Sequence, residues 1–469
     1  MIWDLERYAE REALTGEGIS IRYRVLREKG DEICRMVPKR SLVFVLCRNK
    51  VATIAAYTGF LNGGVVPLML DGKLSPELLA SMIGLYEPAF LWLPAERRDE
   101  MAGAEEIYRA DGYLLLKNPK AAELAMDPSL ALLISTSGST GSPKLVRLSY
   151  KNILANTASI IEYLHINERE RAITSLPLNY VYGLSVLNTH LYAGGCLILT
   201  EQNCYSKLFW DQFERYGGTS FAGIPFMYEM LHKLRFEKKT IPGLKTMTQA
   251  GGKLSPELHE LFAAYAQENG IDFVVMYGAS EATARMGYLP PERSLEKRGS
   301  MGIAIPGGRF ELIDEAHRVI GEAGQSGELV YYGENVSLGY AEAPEDLNRP
   351  DERNGRLETG DMAYFDADGY YYIVGRKSRF IKILGKRTNL AEMEGILKQK
   401  FGILDLACSG KDDSLDIYLT DASRTEEIGD YLFEEIGINR HLYHLHVIPE
   451  IPKNTAGKVL YSQLKPQEG

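Results

Sequence analysis

Residues 131–149 read ALLISTSGSTGSPKLVRLS, two apolar runs of strand length separated by a loop of hydroxyls and glycines. ALLIS ends at Ser135, LVRLS begins at Leu145, and Ser149 can cap a helix whose Ile153, Ile160, Ile161 and Leu164 recur at helical spacing. Upstream, SLVFVLC (Ser41 to Cys47), VATIAAYTGFLNGG, VVPLML and SPELLASMIGLY alternate strand-like with helix-like pieces. Such alternation predicts βαβ units, a largely parallel sheet and an α/β fold class. After about Gly321 the texture shifts to short β-like pieces, GELVYYG and MAYFDADGYYYIVG, the second turning back as a hairpin at Asp368-Gly369. From Arg379 an α+β pattern begins: FIKIL, a helix from about Leu390 to Lys400, SLDIYLT, an acidic helix and LHVIP. The expected layout is a large N-terminal domain, 1–377, of stacked α/β sheets with a β-rich subdomain, and a small mobile α+β domain, 378–469.

A chain of 469 residues exceeds what one hydrophobic core serves, so two or more domains are expected. The composition, 45% hydrophobic and 25% charged, is that of a globular protein. A formal charge of −10 argues against a nucleic-acid-binding face and for a small-molecule substrate. The N-terminus is charged throughout, and no run approaches the roughly 18 apolar residues of a membrane span. The 5 cysteines form no CxxC pair, which fits a reduced, cytoplasmic thiol set. His441, His444 and His446 match no usual zinc spacing, so no metal is expected there.

Chemistry concentrates in the loop after Ser135: Thr136, Ser137, Gly138, Ser139, Thr140, Gly141, Ser142, Pro143 and Lys144. Glycine lets backbone N–H groups converge and lysine adds a point charge, so such a loop can wrap a polyphosphate. It is no Walker A loop, because the lysine follows proline and no GxxxxGK[ST] occurs.

The segment resembles the phosphate-binding signature of the adenylate-forming superfamily: acyl- and aryl-CoA synthetases, peptide-synthetase adenylation domains and luciferases. Further motifs follow in family order: Gly251-Gly252, Tyr277-Gly278-Ala279-Ser280-Glu281, Thr359-Gly360-Asp361, Gly375-Arg376 with Ile381-Lys382 and Gly385, and Pro452 to Lys458. The resemblance implies that ATP activates a carboxylic acid to an acyl-adenylate with release of pyrophosphate. The acyl group then passes to the thiol of CoA or, alternatively, to the phosphopantetheine arm of a carrier protein.

The resemblance also assigns roles. Glu281 takes the magnesium that accompanies ATP, a hard cation suited to carboxylate oxygen. Ser280 lies near the α-phosphate and Tyr277 against adenine. Asp361, after the turn Thr359-Gly360, holds the ribose hydroxyls, and Arg376 lies near the same ribose and phosphates. Lys458 is the catalytic lysine: attack of a carboxylate on the α-phosphorus brings two anions together, and a cation touching both stabilises the growing charge. Ser378 is the hinge, where relatives carry Asp or Lys, and Gly385 belongs to the thiol tunnel.

Other departures are Leu145 in place of a glycine and Ser280 in place of threonine. In the acyl pocket Tyr180 replaces a histidine common in acyl-CoA synthetases. Gly183 falls where amino-acid adenylation domains place the aspartate that meets the substrate ammonium. Without that partner a buried ammonium is costly, so an ordinary α-amino acid is not the expected substrate. A catalytically silent nucleotide binder would show decay at Lys144, Glu281, Asp361 and Lys458, and all four keep the residue type the chemistry requires.

Overall fold

The apolar runs form strands and the amphipathic pieces form helices in the computed structural model, which describes residues 3–101, 103–135, 144–384, 386–403, 405–453 and 459–464. The chain divides into two compact units. One comprises the described residues up to Arg309 together with Tyr331–Leu357; the other comprises Phe310–Val330 and Glu358 onward.

Two large sheets build the first unit. In the nine-stranded sheet, Asp272–Tyr277, Thr246–Gln249, Ser220–Gly223, Arg171–Ile173, Cys196–Leu199 and Glu12–Gly16 run parallel. In the eight-stranded sheet a parallel centre, Leu130–Ser135, Val66–Asp71, Leu42–Cys47 and Phe90–Pro94, is flanked by antiparallel edges. One such edge corrects the sequence reading. Leu130–Ser135 and Leu145–Ser149 do not continue the βαβ alternation but pair antiparallel, Ser135 opposite Leu145 and Leu130 opposite Ser149. The reason is chain length: the segment between them has no room for the crossover helix that a parallel pair needs.

The helix Tyr150–Leu164 starts as expected, with Ser149 Oγ accepting from Asn152 N and Asn152 Oδ1 accepting from Ser149 N, a reciprocal cap. It buries Ile153 and Ile160, while Ile161 and Leu164 are half-buried. A single apolar core joins Val43 and Val45 of one sheet to Leu14 and Leu197 of the other through the helices Val51–Gly63 and Val181–Ala193. Both helices are buried along most of their length, which is why their sequences lack a polar stripe.

Most of a four-stranded sheet, Arg309–Ile313, Gly327–Tyr332, Arg356–Phe365 and Tyr371–Arg376, belongs to the second unit. Its last two strands form the expected hairpin, with Gly369 at φ 81 in the connection. Past it, Phe380–Ile383 pairs with Lys386–Asn389, and the helices Leu390–Phe401 and Thr425–Glu434 share a core with the strands Leu406–Lys411, Ser414–Leu419 and Tyr443–Val447. The five cysteines are free. Among the described residues no helix is long and apolar enough to cross a membrane.

The helices Tyr23–Arg35 and Val51–Gly63 cross backbone to backbone: a Cβ on Gly59 would lie 2.2 Å from the Gly30 carbonyl oxygen. Gly59→Ala should therefore destabilise the first unit by about 1–3 kcal/mol through overpacking. Gly84→Ala, in a helix where a new Cβ meets nothing within 4 Å, should stabilise it by about 0.5–1 kcal/mol. Urea unfolding of both variants against wild type checks the opposite signs.

Candidate active site

The strand Asp272–Tyr277 ends where Tyr277-Gly278-Ala279-Ser280-Glu281 begins, and the chain returns at once, Tyr277 pairing antiparallel with Gly287. Gly278 allows this close return: a Cβ there would lie 1.7 Å from the Ala284 carbonyl oxygen. Ser280–Ala282 make one short 3-10 turn, followed by Thr283 at φ 64 and ψ −54. The Ala284 N–H donates to the Ala282 carbonyl at 2.7 Å, so Thr283 is the centre of a γ-turn with positive φ, a strained conformation for a β-branched residue.

Neighbouring amides hold the strain in place. Asn335 Nδ2 donates to the carbonyls of Ala282 (2.9 Å) and Arg285 (2.8 Å), and the Thr283 hydroxyl donates to the Asn335 carbonyl at 2.7 Å. Asn156 donates to the Arg285 carbonyl at 2.9 Å and accepts from its N–H. Glu281 and Arg285 thereby leave the turn on fixed courses.

Glu281 meets a tyrosine that the motifs did not reveal. The Tyr340 hydroxyl donates to Glu281 Oε1 at 2.6 Å. Burial, then the Glu281 charge, pushes the Tyr340 hydroxyl up to about 12, so it remains a donor. Lys144 lies 5.7 Å from the same ring and pairs with Glu342 at 2.7 Å; Arg353 lies 4.6 Å from the ring and reaches Ser337 Oγ at 3.0 Å. Tyr340 sits on the edge strand Gly339–Ala341, opposite Val146. Arg147, fully buried, fixes that strand by donating to the carbonyls of Tyr340 (3.0 Å) and Leu338 (3.2 Å) and pairing with Glu352 at 2.5 Å. Among the described residues no three His, Cys, Asp or Glu side chains form a metal cage. A lone carboxylate such as Glu281 fits magnesium, which commonly takes one or two protein carboxylates and completes its shell with phosphate and water.

Tyr180 and Gly251 adjoin: Gly251 has φ 87, and a Cβ on it would lie 2.6 Å from Tyr180 Oη. Gly252 receives a hydrogen bond from Gln249 at its carbonyl, 2.9 Å. Gly183 lies in the helix Val181–Ala193 with its missing Cβ only 2.4 Å from the Pro177 carbonyl oxygen.

In the second unit, Thr359-Gly360-Asp361 is no turn. It lies within the strand Arg356–Phe365, where the Thr359 hydroxyl donates to Leu329 of the neighbouring strand at 2.8 Å and Asp361 stands opposite Arg376 in the ladder. Asp361 is buried and pairs with Arg376 Nε at 2.8 Å. Ser378 lies in the 3-10 turn Lys377–Arg379, between two ion pairs: Lys377 with Glu328 at 2.6 Å and Arg379 with Glu394 at 2.5 Å. His446 bonds Asp416 at 2.9 Å. Thr136, Ser137, Gly138, Ser139, Thr140, Gly141, Gly385 and Lys458 lie outside the described residues.

Asn335→Ala would remove one donor from each of two buried carbonyls and one acceptor from the Tyr331 hydroxyl. It should cost about 2–3 kcal/mol of stability, with Asn335→Asp, which keeps only the acceptor, in between. Chemical denaturation of the three proteins checks the order.

The profile of the AMP-binding enzyme family matches residues 2–341. Sulfoacetate–CoA ligase of Cupriavidus necator is 29% identical over 339 residues, 70% of this chain and 65% of that protein, so the chain spans just under two thirds of its length. 2-Succinylbenzoate–CoA ligase of Bacillus subtilis is 26% identical over 92% of this chain and 88% of its own. The fold matches O-succinylbenzoate coenzyme A synthetase from B. subtilis in complex with AMP (TM-score 0.79, 24% identity, 98% and 96% of the two chains). It equally matches ATP-bound MatB from Rhodopseudomonas palustris (TM-score 0.79, 21% identity, 97% and 95%). The chain belongs to the AMP-binding enzyme family.

Proposed function

We propose that the chain joins a small carboxylic acid to CoA in two steps: adenylation of the acid by ATP, then transfer of the acyl group to the CoA thiol. The observation that carries this reading is the gathering of Lys144 and Glu281, 137 positions apart in family motifs, about the single ring of Tyr340. In the first step a carboxylate oxygen of the acid bonds to the α-phosphorus of ATP and the bond to pyrophosphate breaks. In the second, the thiolate sulfur bonds to the acyl carbon and AMP leaves. Magnesium bound to the phosphates would neutralise part of their charge. Glu281, steadied by Tyr340, would hold that ion, and Lys144 would draw the departing phosphates.

We assign Asp361 and Arg376 to the ribose, with Tyr277 against adenine, Ser280 near the α-phosphate, and the loop from Thr136 to Gly141 around the phosphates. Gly251, Gly252, Gly278, Tyr180 and Gly183 would border the nucleotide and acyl pockets. Lys458 would serve adenylation and Gly385 the thiol tunnel, each entering as the domain 378–469 turns about Ser378. The named relatives are CoA ligases, which supports CoA over a carrier protein as acceptor. Acid-dependent exchange of pyrophosphate into ATP across a carboxylate library, repeated with CoA and with phosphopantetheinylated carriers, tests the reading; no exchange with any acid refutes it.

Two variants probe the proposed roles. Lys458→Ala should lower pyrophosphate exchange about a hundredfold or more while sparing thiolation of a supplied acyl-adenylate. Exchange at the wild-type rate would remove Lys458 from the reaction. Ser378→Pro fixes φ near −65° between two anchored neighbours and should separate the half-reactions, trapping one orientation. Pre-steady-state comparison of the adenylate burst with thioester release is the measurement. Normal rates in both steps would refute a hinge at Ser378, and equal slowing would give it no support.

A further inference from the structure

Arg285 is 3% exposed, yet among the described residues no carboxylate pairs with it. The other buried cations behave differently: Arg97 pairs with Glu100, Arg147 with Glu352, and Lys297 approaches Glu296. What Arg285 has instead is the face of Tyr182 at 3.9 Å and the sulfur of Met276 at 3.3 Å from Nε. These, with a hydrogen bond to the Tyr163 side chain, soften the desolvation of a guanidinium but supply no counter-charge to its terminal fork, the part suited to two parallel bonds with an oxyanion. A buried charge without a counter-charge is one of the costliest features a fold can carry.

Arg285 also lines a cavity of about 40 Å³, together with Tyr182, Ser185, Thr189, Thr248 and Met276. Since a water needs about 10–15 Å³ on the same measure, there is room for a small polar head on a short stem and none for a long acyl chain. Glu170 borders the same cavity, but it accepts from the Thr219 hydroxyl at 2.5 Å and faces Lys245 at 3.8 Å. An unsatisfied atom lies on this cavity: His190 Nε2, whose partner nitrogen donates to the Val186 carbonyl at 2.8 Å, has no hydrogen bond. Tyr182 lies between Tyr180 and Gly183, and Arg285 follows Glu281 through the Thr283 γ-turn. The cavity and the proposed reaction centre thus share one helix and one loop.

We infer that Arg285 is the specificity-determining residue for the acid, and that the acid carries a second anionic group, a carboxylate or a sulfonate, on a short stem, which the Arg285 fork binds. This rests on the adenylation reading and narrows its substrate to small dianionic acids. Two demands then meet in one residue. The guanidinium costs stability while the pocket is empty, and it selects by leaving itself unpaired when a neutral-tailed acid enters.

The test pairs acids of matched size: succinate and 3-sulfopropanoate against monomethyl succinate and butanoate, in pyrophosphate exchange by the purified enzyme. Wild type should favour at least one dianion by about 100-fold or more in kcat/KM, and the better of the two separates carboxylate from sulfonate. Arg285→Met should abolish that preference, and its Tm without acid should exceed that of wild type. Should Arg285→Met fail to fold, Arg285→Lys, which keeps the charge without the fork, should retain part of the preference. Equal use of neutral-tailed acids by wild type, or a preference that survives Arg285→Met, would overturn the inference. If no acid supports exchange, the adenylation reading fails, and the Arg285 inference is decided by binding. A Tm raised by succinate or 3-sulfopropanoate in wild type but not in Arg285→Met sustains it, and no such shift overturns it.

Discussion

The hydrogen bonds that Asn335 and Asn156 make to the backbone around Thr283 are the constraint on which the candidate site depends. A β-branched residue at positive φ does not hold itself; it persists because the surrounding structure leaves it no alternative. Asn335 spans the turn from both sides, through the Ala282 and Arg285 carbonyls, and its own main chain takes the Thr283 hydroxyl. Release of these bonds would let Glu281 and Arg285 rotate together. The strain is thus what sets the Glu281 carboxylate apart from the Arg285 guanidinium four residues later.

The same economy governs the opposite wall. Arg147, inside the first unit, spends its donors on the main chain that leads into and out of Tyr340. Asn152 adds two more, to the carbonyls of Glu334 and Val336 on either side of Asn335. Arg147 on a strand and Asn152 in the cap of the helix that follows it therefore act together on one stretch of chain, 334–340. That stretch carries no regular structure except a three-residue edge strand, and buried polar bonds replace the ladder it lacks.

Much of this was legible in the sequence and some was not, for identifiable reasons. Strands such as Leu42–Cys47 and helices such as Pro76–Tyr86 announce themselves because periodicity and caps are local. Lys144, Glu281 and Asp361 stand in contiguous motifs, so their types and order could be read. Tyr340, Arg353, Asn335 and Asn156 could not: their importance arises only when segments distant in the chain meet, and an isolated Tyr or Asn carries no pattern. Arg285 is the instructive intermediate, four residues past a recognised motif, where an arginine amid small and apolar neighbours was the available signal. Alternation of elements does not reveal the antiparallel pairing of Leu130–Ser135 with Leu145–Ser149, which follows from the shortness of the connection.

The tight seat of Gly183 has a consequence for how this scaffold can change its diet. Any side chain there must begin 2.4 Å from the Pro177 carbonyl oxygen and 3.0 Å from that of Leu176, so the obstacle is main chain, which cannot rotate aside as a side chain can. An aspartate introduced to greet an ammonium would have to displace the start of a buried helix first. Any substitution at Gly183 therefore demands movement of the main chain at 176–177 first, so change at this position is coupled to change in the segment that precedes the helix.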